Sequence, residues 1–63
     1  MNKTKDAIMN YMKDTKTIQS FILKDLFRGD SDYDKALSSL IDENKLEEKH
    51  VNGLKMIKLG MAS

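Results

Sequence analysis

Residues 33–59, YDKALSSLIDENKLEEKHVNGLKMIKL, decide the fold of this 63-residue chain. Tyr33, Ala36, Leu37, Leu40 and Ile41 recur at helical spacing, which puts all five on one face of a helix. Ser31 or Asp32 is placed to cap that helix. Asp34 makes only a weak capping box with Ser31, because Glu or Gln suits that position better. Asn44 suits the left-handed position that closes the last turn. Two short strands then flank Asn52-Gly53, a pair that tolerates positive φ and favours a two-residue type I′ turn. With Val51 opposite Leu54, the register puts Leu46 opposite Leu59 and Glu48 opposite Ile57 on one side of the hairpin. Glu47 then faces Lys58, and Lys49 faces Met56, on the other side. Leu46, Ile57 and Leu59 collect against the helices, and a slip of one residue would scatter them.

Upstream, Ser20 is the expected cap of a second helix over residues 21–27. Five of its seven residues are apolar, which predicts the most buried element of the fold. Arg28-Gly29-Asp30 ends it, with Gly29 supplying the left-handed stop. Thr4 is the expected cap of a first helix that runs to Lys13 or Asp14. Ala7, Ile8, Tyr11 and Met12 form its inward face, Met9 lies off that face, and Lys3, Lys5 and Lys13 stay in water. Residues 15–18 read as extended, since Thr17 and Ile18 are β-branched. The expected architecture is one α+β domain over residues 1–60, with three helices and a C-terminal two-stranded hairpin, in the order α–β–α–α–β–β. Fraying is expected from Gly60 through the tail, 61–63.

The bulk composition narrows the function. There is no cysteine, so neither a disulfide framework nor a thiolate metal site is available, and the single His50 makes no metal site alone. No nucleophile–base set or phosphate-cradling glycine loop is present, so no enzyme, no cofactor and no metal are expected. No apolar run is long enough to span a bilayer and residues 1–6 are polar, which points to a cytoplasmic protein without a membrane role. The net charge is only +1, but it is unevenly spread. Residues 1–24 carry +3, residues 25–48 carry −5 and residues 49–63 carry +3. Two basic ends flank an acidic middle.

Residues 18–59 resemble the small winged helix-turn-helix domains of bacterial, phage and plasmid regulators. The resemblance rests on Ile18 ahead of helix two, Leu37-Ser38-Ser39-Leu40-Ile41 in helix three, Lys45-Leu46, the turn at Gly53, and Ile57 with Leu59. It covers about two-thirds of the chain, and these are packing motifs, specific for a fold rather than for a function. The resemblance implies a third helix that enters the DNA major groove and a wing that touches backbone or minor groove. Carried over by position, the groove-facing residues are Lys35, Ser38 and Ser39, with Asp34 and Asp42 beside them. The wing contacts are Lys49, His50, Asn52 and Lys55.

Beside that resemblance, the residues themselves offer a basic track of Lys3, Lys5, Lys13 and Lys16 near helix one, with Lys49, Lys55 and Lys58 in the hairpin. His50 sits at the hairpin tip as an exposed polar residue. Tyr11 and Tyr33 fall at the core edge by phase, although Tyr33 is also placed to stack on an unpaired base. Against deep insertion in a duplex stand Asp30, Asp32 and Asp34, which either complement the helix dipole or repel phosphate. Arg28, the only arginine, lies in the turn, so helix three has no bidentate reader of guanine.

Two functions are therefore expected. One is a small DNA-binding protein of a phage, plasmid or mobile element, on duplex or single-stranded DNA, acting as a transcriptional regulator or replication accessory. The other is an adaptor that binds a replication or DNA-binding protein, or a second copy of itself, through Asp30, Asp32 and Asp34 or through the apolar hairpin face of Val51, Leu54 and Met56.

Overall fold

Backbone conformation at a few residues sets the frame. In the computed structural model, which describes residues 2–60, the order is α1 (Asn2–Thr15), β1 (Thr17–Gln19), α2 (Ser20–Leu26), α3 (Tyr33–Asp42), β2 (Leu46–Val51) and β3 (Leu54–Leu59). Asn52 and Gly53 both take positive φ, 52° and 81°, and the hairpin register is the expected one from Leu46↔Leu59 to Val51↔Leu54. α3 closes on Asn44 at φ 62°. The Asn44 N–H donates to the Ile41 carbonyl and the Lys45 N–H to the Leu40 carbonyl, both at 3.0 Å, which is a Schellman closure with Asn in the place glycine usually takes.

The sheet is a correction. It is not a two-stranded hairpin but a three-stranded antiparallel sheet in the order β1-β3-β2. Pairing the hairpin leaves one edge of β3 with open N–H and C=O groups, and β-branched Thr17 and Ile18 arrive extended to meet them. Thr17 pairs with Lys58, Ile18 with Ile57 and Gln19 with Met56. α1 is brought to a stop for this by Lys16, which turns left-handed at φ 67° while its N–H bonds the Met12 carbonyl at 2.8 Å. Because β1 reaches only to Met56, the hairpin beyond it stays two-stranded and projects from the body.

The core is Ile8, Met12, Ile18, Leu23, Tyr33, Ala36, Leu40, Leu46 and Ile57, with Met9, Phe27, Leu37, Ile41 and Leu59 packed around it. Burial of each full-sized apolar side chain contributes about 1.5–3 kcal/mol. The buried face of α1 is Thr4, Ile8 and Met12, rotated from the expected one: Ala7 and Tyr11 are exposed and Met9 is drawn in. The rotation brings Thr4, which is inside the helix and not its cap, to the turn before α3. There its hydroxyl donates to Asp30 Oδ2 at 2.9 Å.

α2 departs furthest from expectation. Gln19, not Ser20, holds its N-cap position, and only Leu23 is buried within it. Phe21 is 67% exposed, Leu26 54% and Ile22 39%. A helix of two turns seats little more than one residue on the core, here Leu23, with Phe27 just past its end stacked on Tyr33, and a chain this short has no further layer to cover the other side. Gly60 closes the described residues. It is buried and donates its N–H to the Lys45 carbonyl at 2.9 Å. A Cβ at Gly60 would lie 2.2 Å from the Asn44 carbonyl oxygen, so only glycine fits the approach. The tail 61–63 lies outside the described residues.

Candidate nucleic-acid interface

α3 turns Tyr33, Ala36 and Leu40 inward, and that leaves Asp34, Lys35, Ser38 and Asp42 exposed together on the opposite face. These four line a shallow depression with Ser39 at its margin. Ser39 is half-buried and committed elsewhere. Its hydroxyl donates to Glu43 Oε2 at 2.9 Å and accepts from Lys5 Nζ at 3.2 Å. Lys5 Nζ also lies 2.6 Å from the same Glu43 oxygen, and Lys45 Nζ is 3.4 Å from the other. The hydrogen bonds from Lys5 and then Ser39 hold the Glu43 carboxyl at about 2, well below its ordinary 4.5. Lys5 thus ties α1 to the end of α3, and it is not the free surface lysine its sequence position implies.

The acids before α3 divide in the same way. Asp30 shapes the turn: Oδ2 takes the Thr4 hydroxyl, and Oδ1 takes the Asp32 N–H at 2.9 Å. Asp32 holds the N-cap position of α3, and Asp34 lies exposed in its first turn. Tyr33 is not available for stacking on a base. Its ring is buried and stacked on Phe27, with centroids 5.6 Å apart. Burial, with Asp34 adding to it, pushes the Tyr33 phenol up to about 12, so it stays neutral, and its oxygen is buried without a hydrogen-bond partner.

Strand alternation sorts the hairpin residues onto two faces. His50 and Lys55 are cross-strand partners on the side of Ile57, which is the helix side, beyond the cover of the core. Lys55 Nζ sits 3.2 Å from Glu48 on that same side. Lys49 and Lys58 fall on the outer side with Val51, Leu54 and Met56, and Lys58 is 3.9 Å from Glu47. Asn52 is in the turn between. Lys3 and Lys13 lie on the exposed surface of α1 and Lys16 just beyond its end. Among the described residues, Lys3, Lys13, Lys16, Lys35 and Lys49 have no carboxylate within ion-pair distance.

The basic residues are therefore not gathered into one track. One group, Lys35 and Ser38 on α3 with His50 and Lys55 on the hairpin, belongs to the helix side of the sheet. The other, Lys49 and Lys58, faces away from it.

Sequence reading passed over the exposed ridge of Phe21, Ile22 and Leu26. The signal that could have found it is length: a helix of seven residues cannot bury all four of its apolar side chains against a single sheet. No group of three or more possible metal ligands occurs among the described residues, and no described helix is long and apolar enough to cross a membrane. No family model, no curated protein and no solved structure matches the chain.

Proposed function

We propose that this chain is a small, non-enzymatic DNA-binding protein of winged helix-turn-helix type, in which α2 and α3 form the helix-turn-helix and the projecting hairpin is the wing. The observation that carries this reading is the hairpin itself. It runs on as two strands past the end of β1, and it presents His50 and Lys55 on the same side of the sheet as the exposed face of α3. A projecting basic hairpin beside an exposed helix is how a winged helix straddles a phosphate backbone.

The chemistry of α3 sets the kind of contact. Lys35 and Ser38 are flanked by Asp34 and Asp42, so the helix offers one cation and one small hydroxyl between two carboxylates. That arrangement suits shallow backbone contact on duplex or single-stranded DNA and disfavours deep reading of bases. The role it fits is a regulator or replication accessory of a mobile element.

The test is fluorescence anisotropy with labelled single-stranded and duplex DNA across a salt series. Binding by a few phosphate contacts gives a slope of log affinity on log salt of about −0.9 per contact on duplex and about −0.7 on single strands. No binding to either form at low salt would remove the reading as it stands. The adaptor reading is favoured by a separate observation, the uncovered apolar side of α2.

A further inference from the structure

At the hairpin tip an exposed side-chain amide is followed by a backbone nitrogen that is neither shielded nor bonded. Asn52 and Gly53 are both exposed, and a Cβ built on Gly53 would meet nothing within 4 Å. The Gly53 N–H has no hydrogen-bond partner among the described residues. The chain's other asparagines, Asn2, Asn10 and Asn44, lack this setting. Asn10 lies inside α1, where the Tyr11 nitrogen belongs to the helical ladder. Asn44 precedes Lys45, whose N–H is held by the Leu40 carbonyl at 3.0 Å. Asn2 precedes Lys3, whose own side chain crowds its nitrogen as no glycine would.

We propose that Asn52 is a site of spontaneous covalent modification that ages the hairpin tip. The Gly53 nitrogen gives up its proton to solvent and attacks the side-chain carbonyl carbon of Asn52. The new N–Cγ bond closes a five-membered succinimide while the Cγ–Nδ2 bond breaks, and Nδ2 leaves as ammonia. Water then opens the ring at one carbonyl to give aspartate, or at the other to give isoaspartate. The sum consumes water, releases ammonia and transfers no electrons.

Ring closure needs the peptide after Asn52 to rotate out of the turn, so the tip must open locally. It is the least supported part of the sheet. β1 ends at Gln19, opposite Met56, and beyond it a lone two-stranded ladder holds the chain. Val51 and Leu54, the pair that closes the turn, are 49% and 47% exposed. Isoaspartate routes the main chain through the former side chain and lengthens a loop of two residues. The Val51–Leu54 closure, which rests on positive φ at both turn residues, is then lost. Either product also sets a carboxylate close to the His50–Lys55 pair. On the DNA-binding reading, on which this last consequence rests, that carboxylate repels phosphate where the wing meets it.

The experiment ages the intact protein by warming it at mildly alkaline pH, folded and in urea. Peptide mapping by mass spectrometry, with fragmentation that separates aspartate from isoaspartate, reads each asparagine. Asn52→Gly is the control, because it removes the amide and still tolerates positive φ. Asn52 of the folded protein should convert ahead of Asn2, Asn10 and Asn44, mostly to isoaspartate and faster as pH rises. The Asn52→Gly tip should stay unmodified. Conversion in urea with Asn52 intact in the folded protein would overturn the proposal, since the turn would then shield the amide. Equal conversion at Asn10 or Asn44 would overturn it too.

Ion exchange separates the modified form by its added negative charge. Its DNA affinity at low salt should fall about tenfold or more below that of the fresh protein. Equal affinity of the two forms would overturn the claimed effect on the wing. Fresh protein that binds no DNA would remove the DNA-binding reading instead, and the mapping alone would then decide the modification.

Discussion

α2 and α3 make an instructive pair. α2 is the more apolar by composition, with Phe21, Ile22, Leu23 and Leu26 in seven residues, yet only Leu23 is buried. α3 mixes apolar and polar residues through ten positions and buries Tyr33, Ala36 and Leu40 along one clean stripe. Composition says how much apolar surface a helix carries. Length and neighbours say how much of it finds cover. α3 lies between α1 and β2 and has both of its buried flanks occupied, whereas α2 meets the sheet along one line and then faces solvent.

The largest expected effect contrasts the two helices directly. Leu40→Ala should cost about 2–5 kcal/mol in urea-induced unfolding, since a fully buried leucine leaves a cavity. Phe21→Ala, which removes a bigger side chain, should stay within about 0.5 kcal/mol of wild type. A Phe21→Ala penalty matching that of Leu40→Ala would mean that α2 is covered in solution.

Gly60→Ala comes next. Its Cβ meets the Asn44 carbonyl at the end of α3, and the backbone shift needed should cost about 1–3 kcal/mol. Asn44→Ala tests the same closure from the other side. A residue forced to φ 62° without asparagine's local hydrogen bonding should lose about 1 kcal/mol, while Asn44→Gly should be neutral or better. Thermal melts of the three variants would read both.

Smaller still is Tyr33→Phe. The phenol oxygen is buried with no partner, so deleting it should leave stability unchanged or slightly raised, and a marked loss would reveal a partner for it.

The ion pairs at the end of α3 carry a modest pH dependence. The Glu43 carboxyl is held at about 2 in the fold against an ordinary 4.5. Its contribution is therefore present above 4.5 and is lost as pH falls from there through about 2. Glu43→Gln should flatten that part of an acid-denaturation curve. The group is exposed, so the change should be small.

What was legible in the sequence was whatever local rules control. Asn52-Gly53 needs positive φ at both residues, and that alone fixed the hairpin register down to each pair. Asn44 and the five-residue stripe of α3 were equally local. Less legible was whatever depends on a distant partner. The inward face of α1 is set by what Ile8 and Met12 pack against, with the Thr4–Asp30 bond across 26 residues on the same face, and Ala7 and Tyr11 are left outward. β1 joins the sheet because β3 has an edge to fill, and three residues of TIQ carry little strand signal by themselves.

The candidate interface follows the same division. Lys35, Ser38, His50 and Lys55 stand exposed on the helix side of the sheet, as helical phase and strand alternation require. Lys5 and Ser39 instead answer to Glu43, more than thirty positions from Lys5 and four from Ser39, and Lys49 and Lys58 fall on the far side of the sheet.

The most direct measurement compares those two sides. DNA affinity at low salt would be measured for a helix-side pair, Lys35→Glu with Lys55→Glu, and for an outer-side pair, Lys49→Glu with Lys58→Glu. Both change the net charge equally, so the difference between them isolates position from total charge. Loss of binding in the first pair, with a much smaller loss in the second, is the expected result. Equal losses, or a greater loss in the outer pair, would contradict a DNA surface on the helix side.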